Sequence, residues 1–214
     1  MAQTVKMGVI GIGNMGSAHA LHIAGGEIPG MELTAVADRS EARRQWAKEN
    51  LPATVKIFCE GSELIESGAC EAVEIATPHY QHPELSIMAM DHGLHVMCEK
   101  PAGVYTKQVR EMNEKAAQSD VVFGMMFNQR TNCVYRKMHE LVHGGTLGAI
   151  KRVNWIITDW YRTQAYYDSG GPLGRGRRRR AAQPVPPQPR LDAVDLRHAP
   201  KSAGLLPYWQ VAPH

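Results

Sequence analysis

Residues 6–23 read KMGVIGIGNMGSAHALHI. The apolar run Met7–Ile10 leads into the glycine pattern Gly11-Ile12-Gly13-Asn14-Met15-Gly16, and an alanine-containing, helix-forming stretch follows at once. A strand that turns sharply into a helix needs each glycine for a separate reason. Gly11 permits the tight turn, Gly13 lets a pyrophosphate approach the backbone, and Gly16 lets helix and strand pack closely. The helix start offers unpaired N–H groups and a partial positive charge to phosphate oxygens. A glycine pattern alone is common, but placed between strand and helix it marks a dinucleotide crevice. Gly11, Ile12, Gly13, Asn14, Met15 and Gly16 are the first candidate cofactor contacts.

Outward from this turn, short apolar runs alternate with longer amphipathic stretches as far as Gly124. Strands are expected at Lys6–Ile10, Glu32–Ala37, Val55–Phe58, Ala72–Ala76, Leu94–Cys98 and Val121–Gly124. Helices are expected at Met15–Ala24, Ser40–Glu49, Ser62–Glu66, Pro83–Asp91 and Lys107–Ala117. Such alternation implies parallel strands with crossover helices, the doubly wound α/β class of which the Rossmann sheet is the dinucleotide-binding form. Ser40 suits an N-cap and Gly93 a helix stop. After Gly124, Thr131–His143 reads as a helix ended by Gly144-Gly145, and Ile150–Trp160 as a long strand. The expected organisation is a Rossmann domain over residues 1–125, an incomplete second α/β domain over 126–171, and a tail over 172–214.

Composition narrows the setting. The apolar runs are far shorter than a membrane span requires, and the chain enters its first strand without a charged-then-apolar leader, so a cytoplasmic location is expected. Cys59, Cys70, Cys98 and Cys133 show no disulfide-framework spacing and read as reduced thiols.

Further candidates stand at the ends of the expected strands, where this class binds its ligands. Asp38 lies 22 residues beyond Gly16 and is placed to accept hydrogen bonds from ribose hydroxyls, which favours NAD. Arg39 beside it is able to hold a 2′-phosphate, which keeps NADP open. Thr77, Pro78, His79 and His82 follow the fourth strand as walls of the crevice. The two histidines have no third ligand nearby, so no metal is expected. Cys98-Glu99-Lys100-Pro101 ends the fifth strand, and a lysine there can hydrogen-bond a substrate hydroxyl and help move its proton.

In order, GxGxxG, Ala37-Asp38-Arg39-Ser40, Ala76-Thr77-Pro78 and Glu99-Lys100-Pro101 resemble the glucose–fructose oxidoreductase / inositol dehydrogenase (Gfo/Idh/MocA) family, over residues 5 to about 171. The resemblance implies a Rossmann domain followed by an α/β domain with an open sheet, and NAD(P)-dependent oxidation of sugars, inositols or related polyols. It also implies homo-oligomers. By this resemblance Lys100 is catalytic and touches substrate, Glu99 helps hold the nicotinamide end, and Asn128 reaches the cofactor. Arg130, Trp160, Tyr161 and Arg162 border the substrate.

The tail departs from that pattern. Residues 172–214 hold 8 of the 24 Lys/Arg, 2 of the 21 Asp/Glu and 8 of the 13 prolines. The preceding 171 residues carry 16 basic and 19 acidic side chains, net −3 against +3 for the whole chain. The stretch PLGRGRRRRAAQPVPPQPRLD has no buriable face and is expected to be disordered. In a shifted reading frame Leu173–Arg190 can encode WAGEGGGVLLNQCPHNLD, which resembles the family's continuation, so a frameshift is the expected origin of the tail. Its arginines lack interleaved aromatic residues, and nucleic-acid binding is not expected. Two function classes follow: an NAD(P)-dependent oxidoreductase, or a dinucleotide-binding fragment without turnover.

Overall fold

The computed structural model describes residues 4–154 and residue 156. The chain divides into two units between Phe127 and Asn128.

The first unit is built on a six-stranded sheet, every neighbouring pair parallel, in the order β3-β2-β1-β4-β5-β6. Its strands are β1 (Val5–Ile10), β2 (Met31–Ala37), β3 (Lys56–Phe58), β4 (Ala72–Ile75), β5 (His95–Glu99) and β6 (Phe123–Met126). The helices between them are α1 (Asn14–Ala24), α2 (Glu41–Asn50), α3 (Gly61–Glu66), α4 (His82–Asp91) and α5 (Thr106–Gln118), with a short 3-10 turn at His79–Gln81. The doubly wound expectation holds, with boundaries displaced by a few residues. Ser40 occupies the N-cap position of α2, and Gly93 takes φ 74° just past the end of α4.

Parallel strands are covered on both faces, so they read as nearly continuous apolar runs. Alternate side chains then serve two separate cores. Ile10, Val73, Ile75, Val96 and Cys98 pack with Leu64 of α3, Ala89 of α4 and Met112 of α5. Met7, Val9, Leu33 and Val36 pack with Ala20 and Ile23 of α1 and Ala47 of α2. Strand order reverses between β1 and β4. That reversal opens a crevice at the carboxyl ends of the strands, where this fold places its ligands.

In the second unit a 3-10 turn at Asn128–Thr131 precedes α6 (Cys133–His143). Asn132 caps α6, its Oδ1 accepting from Val134 N at 2.9 Å. The strand expected over Ile150–Trp160 is corrected in part: Ile150–Asn154 and Ile156 take no strand conformation. A strand persists through its ladder, and no described segment of this unit supplies a partner. The rest of that range, the tail at 172–214, and Trp160, Tyr161 and Arg162 lie outside the described residues.

Candidate functional site

The turn after β1 gives each glycine a distinct physical task. Gly11 has φ 89°, and a Cβ there would meet the Ala76 carbonyl carbon and oxygen and Thr77 N at 2.9 Å. The turn therefore lies directly against the end of β4. A Cβ on Gly16 would run into Gly11 O, well inside contact distance. Around Gly13 the space is open, with no atom of the described residues within 4 Å of where a Cβ would stand. Gly13 is also the N-cap of α1, with no side-chain cap and no acidic residue in the first turn. The first amides of α1 and the positive end of its dipole are left to a ligand, beside backbone bare enough to be approached. These features fit a pyrophosphate. Asn14 and Met15 are exposed in that first turn, whereas the Ile12 side chain is fully buried and serves the core.

Asp38, the first residue past β2, ties two loops together. Its Oδ2 accepts from Ile12 N at 2.9 Å and its Oδ1 from Ser40 N at 2.8 Å. The carboxylate thus holds the glycine turn and fixes the turn that leads into α2, whose N-cap Ser40 makes no side-chain cap of its own. Each oxygen keeps a further lone pair for a ribose hydroxyl. Arg39 points elsewhere. Its side chain is 69% exposed, and its Nε donates to Glu60 Oε2 at 2.6 Å. That pairing favours NAD over a 2′-phosphorylated cofactor. Arg44, which sequence reasoning missed, donates from one guanidinium nitrogen to Asp38 O at 2.7 Å and Arg39 O at 2.9 Å, and pairs with Glu41. It staples α2 to the loop that presents Asp38.

The end of β4 carries Thr77, Pro78 and His79. Thr77 Oγ1 is buried with no hydrogen-bond partner among the described residues. His79 is partly buried, and its pKa falls below 6.5 through desolvation, then through the neighbouring His82 and Lys100. His82 departs from the cofactor-contact expectation. It is fully buried, with Nδ1 2.8 Å from Pro101 O and Nε2 2.7 Å from Thr77 O. Both ring nitrogens are spent on the backbone, so His82 joins the β4 end to the β5 end and is not a ligand.

Glu99 is the last residue of β5 and Lys100 the first beyond it. Lys100 is exposed, its backbone N–H donates to Glu99 Oε2 at 3.1 Å, and the Lys100–Pro101 peptide is cis. Beneath them lies a cluster that sequence reasoning did not find. His19 of α1, Glu74 of β4 and Glu99 each bring one nitrogen or carboxylate oxygen within 4.8 Å of the others. Glu74 and Glu99 are only 3% and 6% exposed. His19 Nδ1 is hydrogen-bonded to Glu74 Oε1, and that contact, then the charges of Glu74 and Glu99, raise its pKa above 6.5 against the opposing effect of burial. One signal was legible: an acidic residue inside the apolar run AVEIA of a strand buried on both faces. Asn128 and Arg130 lie in the 3-10 turn that opens the second unit.

Comparison with known proteins agrees with this geometry. Residues 5–127 match the Gfo/Idh/MocA oxidoreductase family, described by its NAD-binding Rossmann fold. The myo-inositol 2-dehydrogenase of Thermotoga maritima is 33% identical over 144 residues, 67% of this chain and 42% of that protein. The inositol 2-dehydrogenase of an Arthrobacter species is 29% identical over 153 residues, 70% of this chain and 44% of that protein. Among solved structures, scyllo-inositol dehydrogenase from Lactobacillus casei with bound NAD(H) and scyllo-inositol aligns with TM-score 0.64 and 30% identity, covering 68% of this chain and 43% of that one. The chain therefore spans less than half the length of these relatives. With a matching family over most of its first unit and a glycine cradle shaped for a pyrophosphate, the chain belongs to the Gfo/Idh/MocA family of NAD-binding Rossmann oxidoreductases.

Proposed function

We propose that this chain holds NAD along the crevice and that Lys100 serves the oxidation of a secondary alcohol in a polyol of the inositol or sugar class. The observation that carries the reading is the position of Lys100. It stands exposed one residue past β5, on the same carboxyl edge as the open Gly13 cradle and the Asp38 carboxylate. The dinucleotide fold is two mononucleotide halves, and Asp38 assigns the adenosine ribose to the β1–β3 half. The nicotinamide then falls to the β4–β6 half, over Glu99 and beside Lys100. The substrate class rests on what the relatives are named for, the oxidation of inositols.

Bound there, the cofactor supplies a hydride acceptor. Gly13 and the first turn of α1 fix its phosphates, and Asp38 its ribose. Lys100 Nζ, as the neutral amine, accepts a hydrogen bond from the substrate hydroxyl and takes up its proton as the carbonyl forms. The alcohol loses two electrons and two hydrogens, one as hydride and one as proton. A homo-oligomer in the cytoplasm is the proposed setting, and light scattering after size exclusion measures the assembly.

The test expresses the full chain, titrates NADH, and assays NAD reduction with myo- and scyllo-inositol and glucose. Turnover that Lys100→Met lowers by about 10²–10⁴-fold, with NADH affinity unchanged within about twofold, supports the reading. NADH binding with no turnover on any polyol replaces it with a dinucleotide-binding chain that performs no chemistry. Absence of NADH binding removes both.

A further inference from the structure

The His19–Glu74–Glu99 cluster lies on the α1 face of the sheet, under its second half. Glu74 and Glu99 belong to adjacent strands, with Glu74 level with Met97 in the register. Side chains alternate along a strand, so Glu74, Met97 and Glu99 share one face. Two buried carboxylates there meet one imidazole, and that imidazole is hydrogen-bonded to Glu74. Glu74 thereby engages the cation that would otherwise answer Glu99. Glu99 receives a hydrogen bond from Lys100 N, which holds the carboxylate in place but brings no charge. The Lys100 side chain is exposed, where water and salt screen any charge it carries.

We infer that Glu99 is a selector of cofactor redox state: with two buried carboxylates sharing one imidazole, the surplus negative charge at Glu99 favours the cationic oxidised nicotinamide over the neutral reduced one. The inference rests on the proposed placement of the nicotinamide over β4–β6. The two forms of the cofactor carry identical phosphates, riboses and adenine. They differ by one positive charge on the ring, so a fixed negative charge beneath that ring acts on the difference alone. A buried charge is felt strongly because little solvent intervenes. The consequence for a dehydrogenase is a bias toward loading NAD+ and releasing NADH, which is the direction that oxidises alcohols. His19 and Glu74 pair with each other beside Glu99 and take no part in the selection, which leaves the charge on Glu99.

Isothermal titration of the full chain with NAD+ and with NADH at pH 7.5 reads the ratio of the two dissociation constants. Glu99→Gln keeps shape and acceptor oxygen while removing the charge, and is expected to shift the ratio toward NADH by about tenfold, chiefly by weakening NAD+. The double variant His19→Gln/Glu74→Gln removes the pair and leaves Glu99 charged, so its ratio stays within about twofold of wild type. Where Glu99→Gln does not fold, Glu99→Asp, which keeps the charge, is expected to keep the ratio and Glu99→Ser to shift it toward NADH, and the reverse overturns the inference. A Glu99→Gln ratio equal to that of wild type overturns the inference while leaving the cofactor site standing, and so does a double variant that loses the preference. Failure of the wild-type chain to bind either form overturns the nicotinamide placement itself, and the inference with it.

Discussion

Two glycines three residues apart illustrate how little a methyl group has to do to separate folding from binding. At Gly16 a Cβ would collide with Gly11 O, a backbone atom that cannot step aside without unwinding the turn. Gly16→Ala is expected to destabilise the first unit by about 3 kcal/mol, seen as a lower urea midpoint. At Gly13 the added methyl meets no atom of the described residues, and φ is −67°, a value alanine adopts readily. Gly13→Ala should therefore keep the wild-type midpoint and lose NADH affinity by at least about tenfold, because the methyl enters the space a phosphate needs. A Gly13→Ala chain that binds NADH as wild type does would mean the cradle holds something other than a pyrophosphate.

At the scale of elements, most of the sheet was legible because its signals are local. Apolar runs of strand length, a glycine turn and acidic or serine-bearing helix starts name β1–β6 and α1–α5 without tertiary information. What the sequence hid was every contact between the ends of two elements. His82 reads as one of a pair with His79, yet its ring turns inward and links Thr77 O to Pro101 O. Arg39 reads as a phosphate ligand, but Glu60, 21 residues away, engages it. Glu74 and His19 meet across 55 residues. Ile150–Asn154 was misread because alternation is a property of one segment and a strand is a property of two. The His82 link has a measurable consequence. His82→Ala takes the ring away from two part-buried carbonyls and leaves a cavity, so a loss of about 2–4 kcal/mol is expected. Hydrogen exchange across residues 100–105 should quicken with it, since the β5 end loses its tie to β4. Unchanged exchange in that loop would show that the loop is held by something other than the imidazole.

Over the whole molecule these buried groups impose a dependence of stability on pH, and two histidines impose it with opposite signs. His19 has a raised pKa, so the folded chain keeps its proton at pH values where the unfolded chain has released it. The stability it adds is complete below pH 6.5 and is lost as pH rises through the folded value. His79 has a lowered pKa from burial and neighbouring positive groups, so the stability linked to it is present above 6.5 and is lost as pH falls through its folded value. Burial also pushes the Cys70 and Cys98 thiols from 9.0 up to about 11 and about 12. Ionisation of these thiols in the unfolded chain adds a further decline above pH 9. Stability is therefore expected to peak near neutrality. Urea unfolding from pH 5 to 9.5 separates the contributions: His79→Gln should flatten the acid limb and His19→Gln the limb between 6.5 and 9, each leaving the other limb intact. Two variants that parallel wild type across the whole range would show that neither ring exchanges a proton on unfolding, and the charge partition assigned to His19, Glu74 and Glu99 would have to be redrawn.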